Sequence, residues 1–259
     1  MSQPGSRQRL SRILLLCGMI LAIGGVVAVW TESDFIMARM GGKKTVSQRL
    51  EEFGPAVRER LLPEFQRFGV PWPPAELVLV GLKLEKRLEV WVGDGASQPK
   101  LLKTYPIRGA SGVLGPKLRE GDRQVPEGLY RIESLNPSSR FHLSLRVNYP
   151  NDFDRGQGKA DGRDRLGSDI MIHGGEASVG CLAMGDPAAE DLFILAAETG
   201  LRNIRVILSP VDFRVRELPE TMPDVPSWTR QLYDDIRKEL EALSDSPAGH
   251  AGTHIGATE

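Results

Sequence analysis

Hydrophobic residues recur with two different periods along this chain, which divides it into a helical part and a β-rich part. Between residues 46 and 68 the apolar side chains stand three and four positions apart, the spacing of an amphipathic helix. Gly54, Pro55 and Pro63 interrupt that spacing, so it predicts one or two helices. From Glu76 onward the apolar residues form short runs between Gly and Asp turns, which predicts β-strands. The predicted strands are Leu77–Leu84, Arg87–Val92, Leu101–Ile107, Gly128–Ser134, Phe141–Asn148, Asp169–His173 and Asn203–Leu208.

Two further helices are predicted within and after the strand-rich part. The segment Pro187–Thr199 has helical spacing and is stopped by Gly200, and Asp186 before it is a candidate N-cap. Nearer the C-terminus, Ser227 is a second candidate N-cap, followed by apolar residues along one helix face. Many short strands with few helices predict a mainly β domain, either a β-rich sandwich or a barrel-like sheet.

The predicted strand Phe141–Asn148 alternates between apolar and polar residues. Phe141, Leu143, Leu145 and Val147 face one way, and His142, Ser144, Arg146 and Asn148 face the other. If the polar face borders a binding site, Arg146 or the preceding Arg140 could hold a substrate carboxylate. A plain solvent-facing role fits each of these residues as well.

Two long loops are candidates for substrate contact. Residues 109–125 are rich in glycine and mixed in charge, which suits a binding loop or a solvated one. Residues 151–168 combine acidic and basic side chains with glycines, and they suit a mobile lid beside a site. An ordinary surface loop explains the same composition.

An apolar run without charges extends from Ile13 to Trp30, and Arg7, Arg9 and Arg12 precede it. It is long enough to span a bilayer and longer than most signal-peptide cores. Because no clear small-residue cleavage site follows Trp30, the run predicts an uncleaved membrane anchor. The basic residues on its two sides nearly balance, and they favour placing the bulk of the chain outside the cytoplasm.

Composition narrows the class of protein. The chain has 259 residues, 41% of them hydrophobic, and a formal net charge of −1, enough for one sizeable core plus tails. A neutral balance without a basic stripe gives no reason to expect nucleic acid as a partner. Its cysteines are Cys17, inside the apolar N-terminal run, and Cys181, so a disulfide framework is excluded.

The most informative stretch for chemistry runs from Met171 to Asp186. It contains His173 after a short apolar strand and Cys181 on a small-residue loop before the predicted helix. A thiol becomes a good nucleophile as thiolate, and a nearby imidazole is the usual means of forming one at neutral pH. On residue types alone, a buried small cysteine and a structural core histidine explain the pattern equally well.

This stretch resembles the L,D-transpeptidase (YkuD-type) catalytic domain, in which a His-Gly follows a strand and a later Ser/Thr-x-Gly-Cys carries the nucleophile. His173-Gly174 and Ser178-Val179-Gly180-Cys181 match those places. Separated segments add to the resemblance, which covers roughly residues 75–215. They are Gly115-Pro116-Lys117, Glu120–Ile132 and Ser139–Leu145. The short gap between His173 and Cys181, and Val179 where the usual member has a second histidine, resemble the YafK-like branch.

The resemblance implies a cysteine acyltransferase that works through a thioester at the diaminopimelate position of peptidoglycan stem peptides. Cys181 would be the nucleophile and His173 its base, with no metal and no organic cofactor. Backbone amides around Gly180 would stabilise the oxyanion, and Ser178 or the Gly174 backbone would orient the base. The weaker candidates for substrate binding are Arg140, His142 and Arg146.

The acyl acceptor stays open at this point. An amine acceptor gives a crosslink or an attached protein, whereas water gives hydrolysis. The YafK-like branch includes an enzyme that detaches a lipoprotein from peptidoglycan, so a wall-linked lipoprotein is a second candidate partner. Because Val179 replaces a histidine, a membrane-anchored wall-binding module without catalysis is the alternative from another class.

The resulting organisation places a single-pass inner-membrane protein with its catalytic domain in the periplasm. The predicted segments are a basic tail (1–12), the anchor (13–30), a linker with amphipathic helices (31–74), the catalytic domain (75–215), a C-terminal helix (216–243) and a disordered tail (244–259).

Overall fold

The chain folds around one curled, mixed sheet, seen in a computed structural model that describes residues 43–244. The eight strands lie in the order β3-β2-β1-β8-β4-β5-β6-β7. They are β1 (Glu76–Leu82), β2 (Arg87–Gly93), β3 (Lys100–Pro106), β4 (Gly128–Ser139), β5 (His142–Val147), β6 (Met171–His173), β7 (Leu182–Ala183) and β8 (Ile204–Ser209). The seven predicted strands are confirmed with boundaries shifted by a few residues, and β7 is an addition.

The two ends of the sheet meet, which gives it a half-barrel shape. Gly109, just beyond β3, forms an antiparallel bridge with Ala183 of β7. The N–H of Ala183 donates to the Gly109 carbonyl at 2.8 Å, and the Arg108 N–H donates back to the Ala183 carbonyl at 2.8 Å. Of the two predicted arrangements, the barrel-like sheet therefore describes this fold and the sandwich does not.

The central strand β1 is buried on both faces, which explains its continuous apolar sequence. Leu77 and Leu79 enter a core with helices α1 (Val46–Phe68) and α3 (Asp186–Thr199). Val78 and Val80 enter a second core that helix α4 (Thr229–Ser244) covers. The helices predicted on either side of the catalytic domain thus supply the two layers that bury its sheet.

Helix α1 decides between the two predicted alternatives for this segment, since it is one helix and not two. It runs without interruption through Pro55 and Pro63, and its N-terminus carries a capping box between Thr45 and Gln48. Buried Val57, Leu61 and Phe65 pack into the core on one side of the helix. Tertiary packing of this face outweighs the backbone hydrogen bonds that the prolines remove.

The segment 151–168, which was predicted to be a loop, contains helix α2 (Asp152–Ala160), and this corrects the prediction. Asn151 and Asp154 form a capping box at its start. The Tyr130 hydroxyl donates to Asp154 at 3.2 Å, and the Trp228 indole N–H donates to Asp161 at 3.0 Å. These bonds tie both ends of α2 to neighbouring elements.

The predicted membrane anchor, residues 13–30, lies outside the described residues, and so does the predicted tail 244–259 apart from Ser244, which is the last residue of α4. Among residues 43–244, no helix is both long and apolar enough to cross a bilayer.

Candidate active site

The pairing of β6 with β7 brings His173 and Cys181 to one face of the sheet. These strands are parallel, with Ile172 opposite Leu182 and His173 opposite Ala183. Ile172 and Leu182 point into the core. Because side chains alternate along a strand, His173 projects from the opposite face. Cys181 directly precedes β7, and continuing the alternation by one residue places it on that face too, offset by two residues or roughly 7 Å along the strand.

The imidazole of His173 is buried, with only 2% of the residue exposed. Its Nδ1 lies 2.6 Å from the carbonyl oxygen of Gly174. A carbonyl can only accept, so Nδ1 carries the proton and Nε2 is left with a free lone pair. Burial lowers the pKa of His173 below its usual value of 6.5, and the bond to Gly174 offsets this only in part. The ring is therefore a neutral base at pH 7.

The thiol of Cys181 is half-buried and lies against backbone groups of the strand that leads into β6. The Met171 N–H donates to Sγ at 3.4 Å, and Sγ lies 3.5 Å from the Asp169 carbonyl. Burial raises the pKa of Cys181, the Met171 N–H lowers it, the Asp169 charge raises it and Lys117 lowers it. The resting pair is thus a protonated thiol and a neutral imidazole.

Two serine hydroxyls accept hydrogen bonds from the backbone amides next to the nucleophile. The Gly180 N–H donates to Ser111 Oγ at 2.7 Å, and the Cys181 N–H donates to Ser178 Oγ at 3.1 Å. The Ser178 hydroxyl donates in turn to the Cys181 carbonyl. Ser178 therefore holds the loop and does not touch the imidazole. Gly180 has φ +83°, a left-handed conformation that favours glycine.

The carboxylate of Asp186 supports the loop that follows His173. The structure corrects its predicted role, because Gly185 is the N-cap of α3 and Asp186 is its first residue. Asp186 Oδ1 instead accepts the N–H of Gly175 at 2.8 Å. A Cβ on Gly174 would collide with this carboxylate and with the Phe141 carbonyl. Only glycine therefore fits at the position after His173.

Comparison with known proteins identifies the family of this chain. The family model of the L,D-transpeptidase catalytic domain, YkuD, matches residues 77–207, half of the chain and a range that includes His173 and Cys181. This chain belongs to that family.

A relative supports the predicted branch. YafK of Escherichia coli (strain K12), whose name assigns it provisionally to the L,D-transpeptidases, is 38% identical over 113 residues, which is 43% of each chain. The chain thus matches less than half the length of this relative.

Solved structures are more distant. The helical cell shape determining protein Pgp2 from Campylobacter jejuni has 22% identity over 52% of this chain and 48% of its own, with a TM-score of 0.43. Bd1075 of Bdellovibrio bacteriovorus has 20% identity over 66% of this chain and 56% of its own, with a TM-score of 0.39. Neither score reaches 0.5, so neither structure informs the function of this chain.

The predicted substrate residues of this family member lie at different distances from the thiol. Arg146 pairs with Asp169 at 3.2 Å, and the Asp169 carbonyl in turn contacts Sγ. His142 turns its Nε2 toward Glu190 of α3 at 3.1 Å. Arg140 is exposed in the turn between β4 and β5. The structure therefore links Arg146 to the thiol through Asp169, while the imidazole of His142 contacts α3.

The structure adds Phe141, which sequence analysis assigned to the apolar core face. It is 43% exposed, and its ring stacks on His173 with centroids 4.7 Å apart. Phe141 lies in the hairpin turn just before β5, where strand alternation no longer applies. Ser111 is a second addition, and nothing in the sequence pairs it with Gly180.

Beside the loop that follows His173 lies a cavity of about 640 Å³ lined in part by Gly175, Glu176 and Arg108. Within the described part of the chain, no group of three or more His, Cys, Asp or Glu side chains is placed to hold a metal ion.

Proposed function

We propose that this protein is a peptidoglycan-modifying acyltransferase that forms a thioester on Cys181. The observation that carries the proposal is the shared face of His173 and Cys181, with Nε2 of a neutral imidazole free to accept a proton. Membership of the L,D-transpeptidase family supports a peptidoglycan substrate, and a stem peptide cut at its diaminopimelate residue is the expected acyl donor.

In the first step, His173 Nε2 removes the thiol proton as Sγ attacks the donor carbonyl. Neither group is charged beforehand, so the proton moves during attack, unlike in a preformed thiolate–imidazolium pair. The tetrahedral intermediate collapses as the C–N bond breaks, and His173 returns the proton to the leaving amine. The product is a thioester on Cys181.

The oxyanion of that intermediate needs donors next to Sγ, and the amides of Gly180 and Cys181 are the nearest by sequence. In the free protein they donate to Ser111 and Ser178. We assign them to the oxyanion on the condition that these hydroxyls rotate away when substrate binds. Each such donor contributes on the order of 3 kcal/mol to transition-state stabilisation.

In the second step an acceptor attacks the thioester and frees the thiol. An amine gives a crosslinked or protein-linked product, and water gives hydrolysis, including release of a wall-linked lipoprotein. Val179 beside the nucleophile is 71% exposed and offers no polar group to position an amine. This observation favours appreciable hydrolysis, since an unpositioned amine loses the advantage of proximity over water.

Residues 13–30 supply the proposed location. As a single-pass anchor they hold the catalytic domain at the periplasmic side of the inner membrane, where peptidoglycan is accessible.

A carbapenem tests the nucleophile directly, because its strained ring acylates a reactive cysteine of this family. Intact-mass measurement should show one added carbapenem on the wild-type protein and none on Cys181→Ala. The Cys17→Ala variant should still gain the adduct, which serves as the matched control. An adduct on Cys181→Ala would remove Cys181 from the proposal.

Muropeptide products separate the possible outcomes of the second step. Incubation with tetrapeptide muropeptides should yield tripeptide ends, and crosslinked dimers without tripeptides would instead establish transpeptidation. If the folded protein bound muropeptides but formed neither product nor carbapenem adduct, the wall-binding alternative would replace the enzyme.

A further inference from the structure

A buried lysine packs against the segment that leads to Asp169 and Met171, the two residues whose backbone groups contact the thiol. Lys117 is 7% exposed. Its ammonium donates to the Asp122 carboxylate and, at 2.9 Å, to the Arg119 carbonyl. Burying a lysine is costly unless the charge is paired, and here a single carboxylate provides the pairing.

Residues around Lys117 in the loop 109–125 contact the segment 165–169 at several points. The Tyr149 hydroxyl lies 3.3 Å from the Lys117 carbonyl and 3.0 Å from the Leu166 carbonyl, and its one proton is shared between them. The Glu120 N–H donates to the Arg165 carbonyl at 2.8 Å. The Cε atom of Lys117 lies 3.3 Å from the place where a Cβ would stand on Gly167. Lysine and segment therefore pack without a gap between them.

That segment leads to Asp169, whose carbonyl oxygen accepts the Cys181 thiol. The charged groups around Sγ are Lys117 with its partner Asp122, and Asp169 with its partner Arg146. His173 on β6 adds a neutral ring. On the Lys117 side the lysine is the cation that acts on Sγ, and Asp122 balances the charge of that lysine.

We infer that Lys117 is a positioning residue that stabilises the thiolate of Cys181 across the segment 165–169, with Asp122 setting how much of its charge the thiolate experiences. The inference rests on the proposed function only for its consequence in catalysis. The lowering of the thiol pKa by Lys117 is consistent with it.

The two members of the ion pair should act in opposite directions. Lys117→Met removes the cation, so the thiolate becomes harder to form. Asp122→Asn keeps an oxygen for the amides of Leu118 and Arg119. Its NH2 group replaces the oxygen that accepts from Lys117 and from the Gln124 N–H, so the cation loses its balancing anion and acts more strongly on the thiolate. An ion pair that served only the fold would give both variants the same direction of change.

The experiment follows alkylation of Cys181 by iodoacetamide against pH in the full chain, with Cys17→Ala as background so that one thiol reacts. Lys117→Met should raise the midpoint by about one pH unit, which lowers the rate at pH 7 about tenfold and leaves the high-pH limit unchanged. Asp122→Asn should lower the midpoint. Lys117→Arg should stay near the wild type, and Lys159→Met, an exposed lysine on α2, is the matched control.

Midpoints that stay at the wild-type value in folded Lys117→Met, or that move the same way in both variants, would overturn the inference. If Lys117→Met does not fold, the direction of the Asp122→Asn shift decides. Because alkylation needs no peptidoglycan, the opposite shifts test Lys117 even if the acyltransferase proposal fails, and a missing carbapenem adduct with opposite shifts would refute only that proposal.

Discussion

Burial holds both members of the catalytic pair in their uncharged forms, and this determines how the proposed reaction depends on pH. The pKa of the His173 imidazole is lowered and that of the Cys181 thiol is raised. A histidine with a lowered pKa stays deprotonated in solutions slightly more acidic than its usual 6.5. The base form therefore persists at pH values where an ordinary surface histidine is half protonated.

The rate of acylation by a carbapenem should consequently begin to fall at a more acidic pH than it would with an ordinary histidine of pKa 6.5 as the base. In His173→Gln the rate should instead rise with pH up to the thiol's raised pKa, because reaction then depends on the few thiolates present. Stopped-flow or mass-resolved rates between pH 5 and 10 measure both profiles. Equal losses at pH 7 and pH 10 would mean that His173 has a structural role only.

At the scale of elements, Pro63 in α1 has two opposing effects on the stability of the protein, and their magnitudes can be compared. Pro63 is exposed inside the helix, where it removes a backbone bond to the Glu59 carbonyl and crowds that carbonyl. The unfavourable helix term for proline reaches about 3 kcal/mol. Its benefit, a stiffer unfolded chain, is about 0.4–1 kcal/mol. The helix term is the larger one.

Pro63→Ala should therefore raise the free energy of unfolding by about 2–2.6 kcal/mol, the difference between those two effects. Pro223→Ala is the matched control, because Pro223 is exposed in an extended segment and its loss only loosens the unfolded chain. That control should be slightly less stable than the wild type. Urea unfolding of both variants checks the signs, and a destabilised Pro63→Ala would contradict the argument.

Elements with strong local signals were predictable from the sequence, and those made by long-range contacts were not. In the strand predicted over Phe141–Asn148, the apolar positions Leu143, Leu145 and Val147 are fully buried as predicted, whereas Phe141 is exposed and Ser144 is buried. Helix α2 was missed because glycines and charges dominate it, although its capping box was readable at Asn151 and Asp154. Strand β7 has two residues, too few for any period to be visible.

The same distinction holds in the site. His173 and Cys181 were recognisable from a motif, and the Gly174 carbonyl was one of two predicted groups to orient the base. The bond from Gly180 to Ser111 joins loops that are far apart in sequence, and only folding brings them together. The stacking of Phe141 on His173 similarly depends on where the hairpin turns.

At the scale of the molecule, a buried carboxylate links the C-terminal helix to the loop 109–125, whose Ser111 contacts Gly180 beside the nucleophile. Glu127 accepts the Tyr233 hydroxyl of α4 at 2.6 Å and the Gly115 N–H at 2.8 Å, and pairs with Lys83 at 2.8 Å. Burial, followed by the neighbouring carboxylate, raises the pKa of Tyr233, so the phenol remains a donor at any physiological pH. Helix α4 thus anchors the loop 109–125 from the far side of the sheet.

Tyr233→Phe should lower the free energy of unfolding by about 1–3 kcal/mol, because it leaves one oxygen of a buried carboxylate without its donor. The ring and its packing are retained, so the change isolates the hydroxyl. Equilibrium unfolding in urea measures it. Stability equal to that of the wild type would mean that water satisfies the carboxylate and that α4 is held by apolar packing alone.

The parallel pairing of β6 and β7 restricts insertions between the nucleophile and β7 to even numbers of residues. Side chains alternate at every position of a strand, so one residue added between Cys181 and Leu182 would turn the thiol toward the core and away from His173. Length can vary more freely before Ser178, where turns absorb the difference. Loops in this region can therefore shorten or grow over time, while the step from the thiol into β7 has to keep its parity.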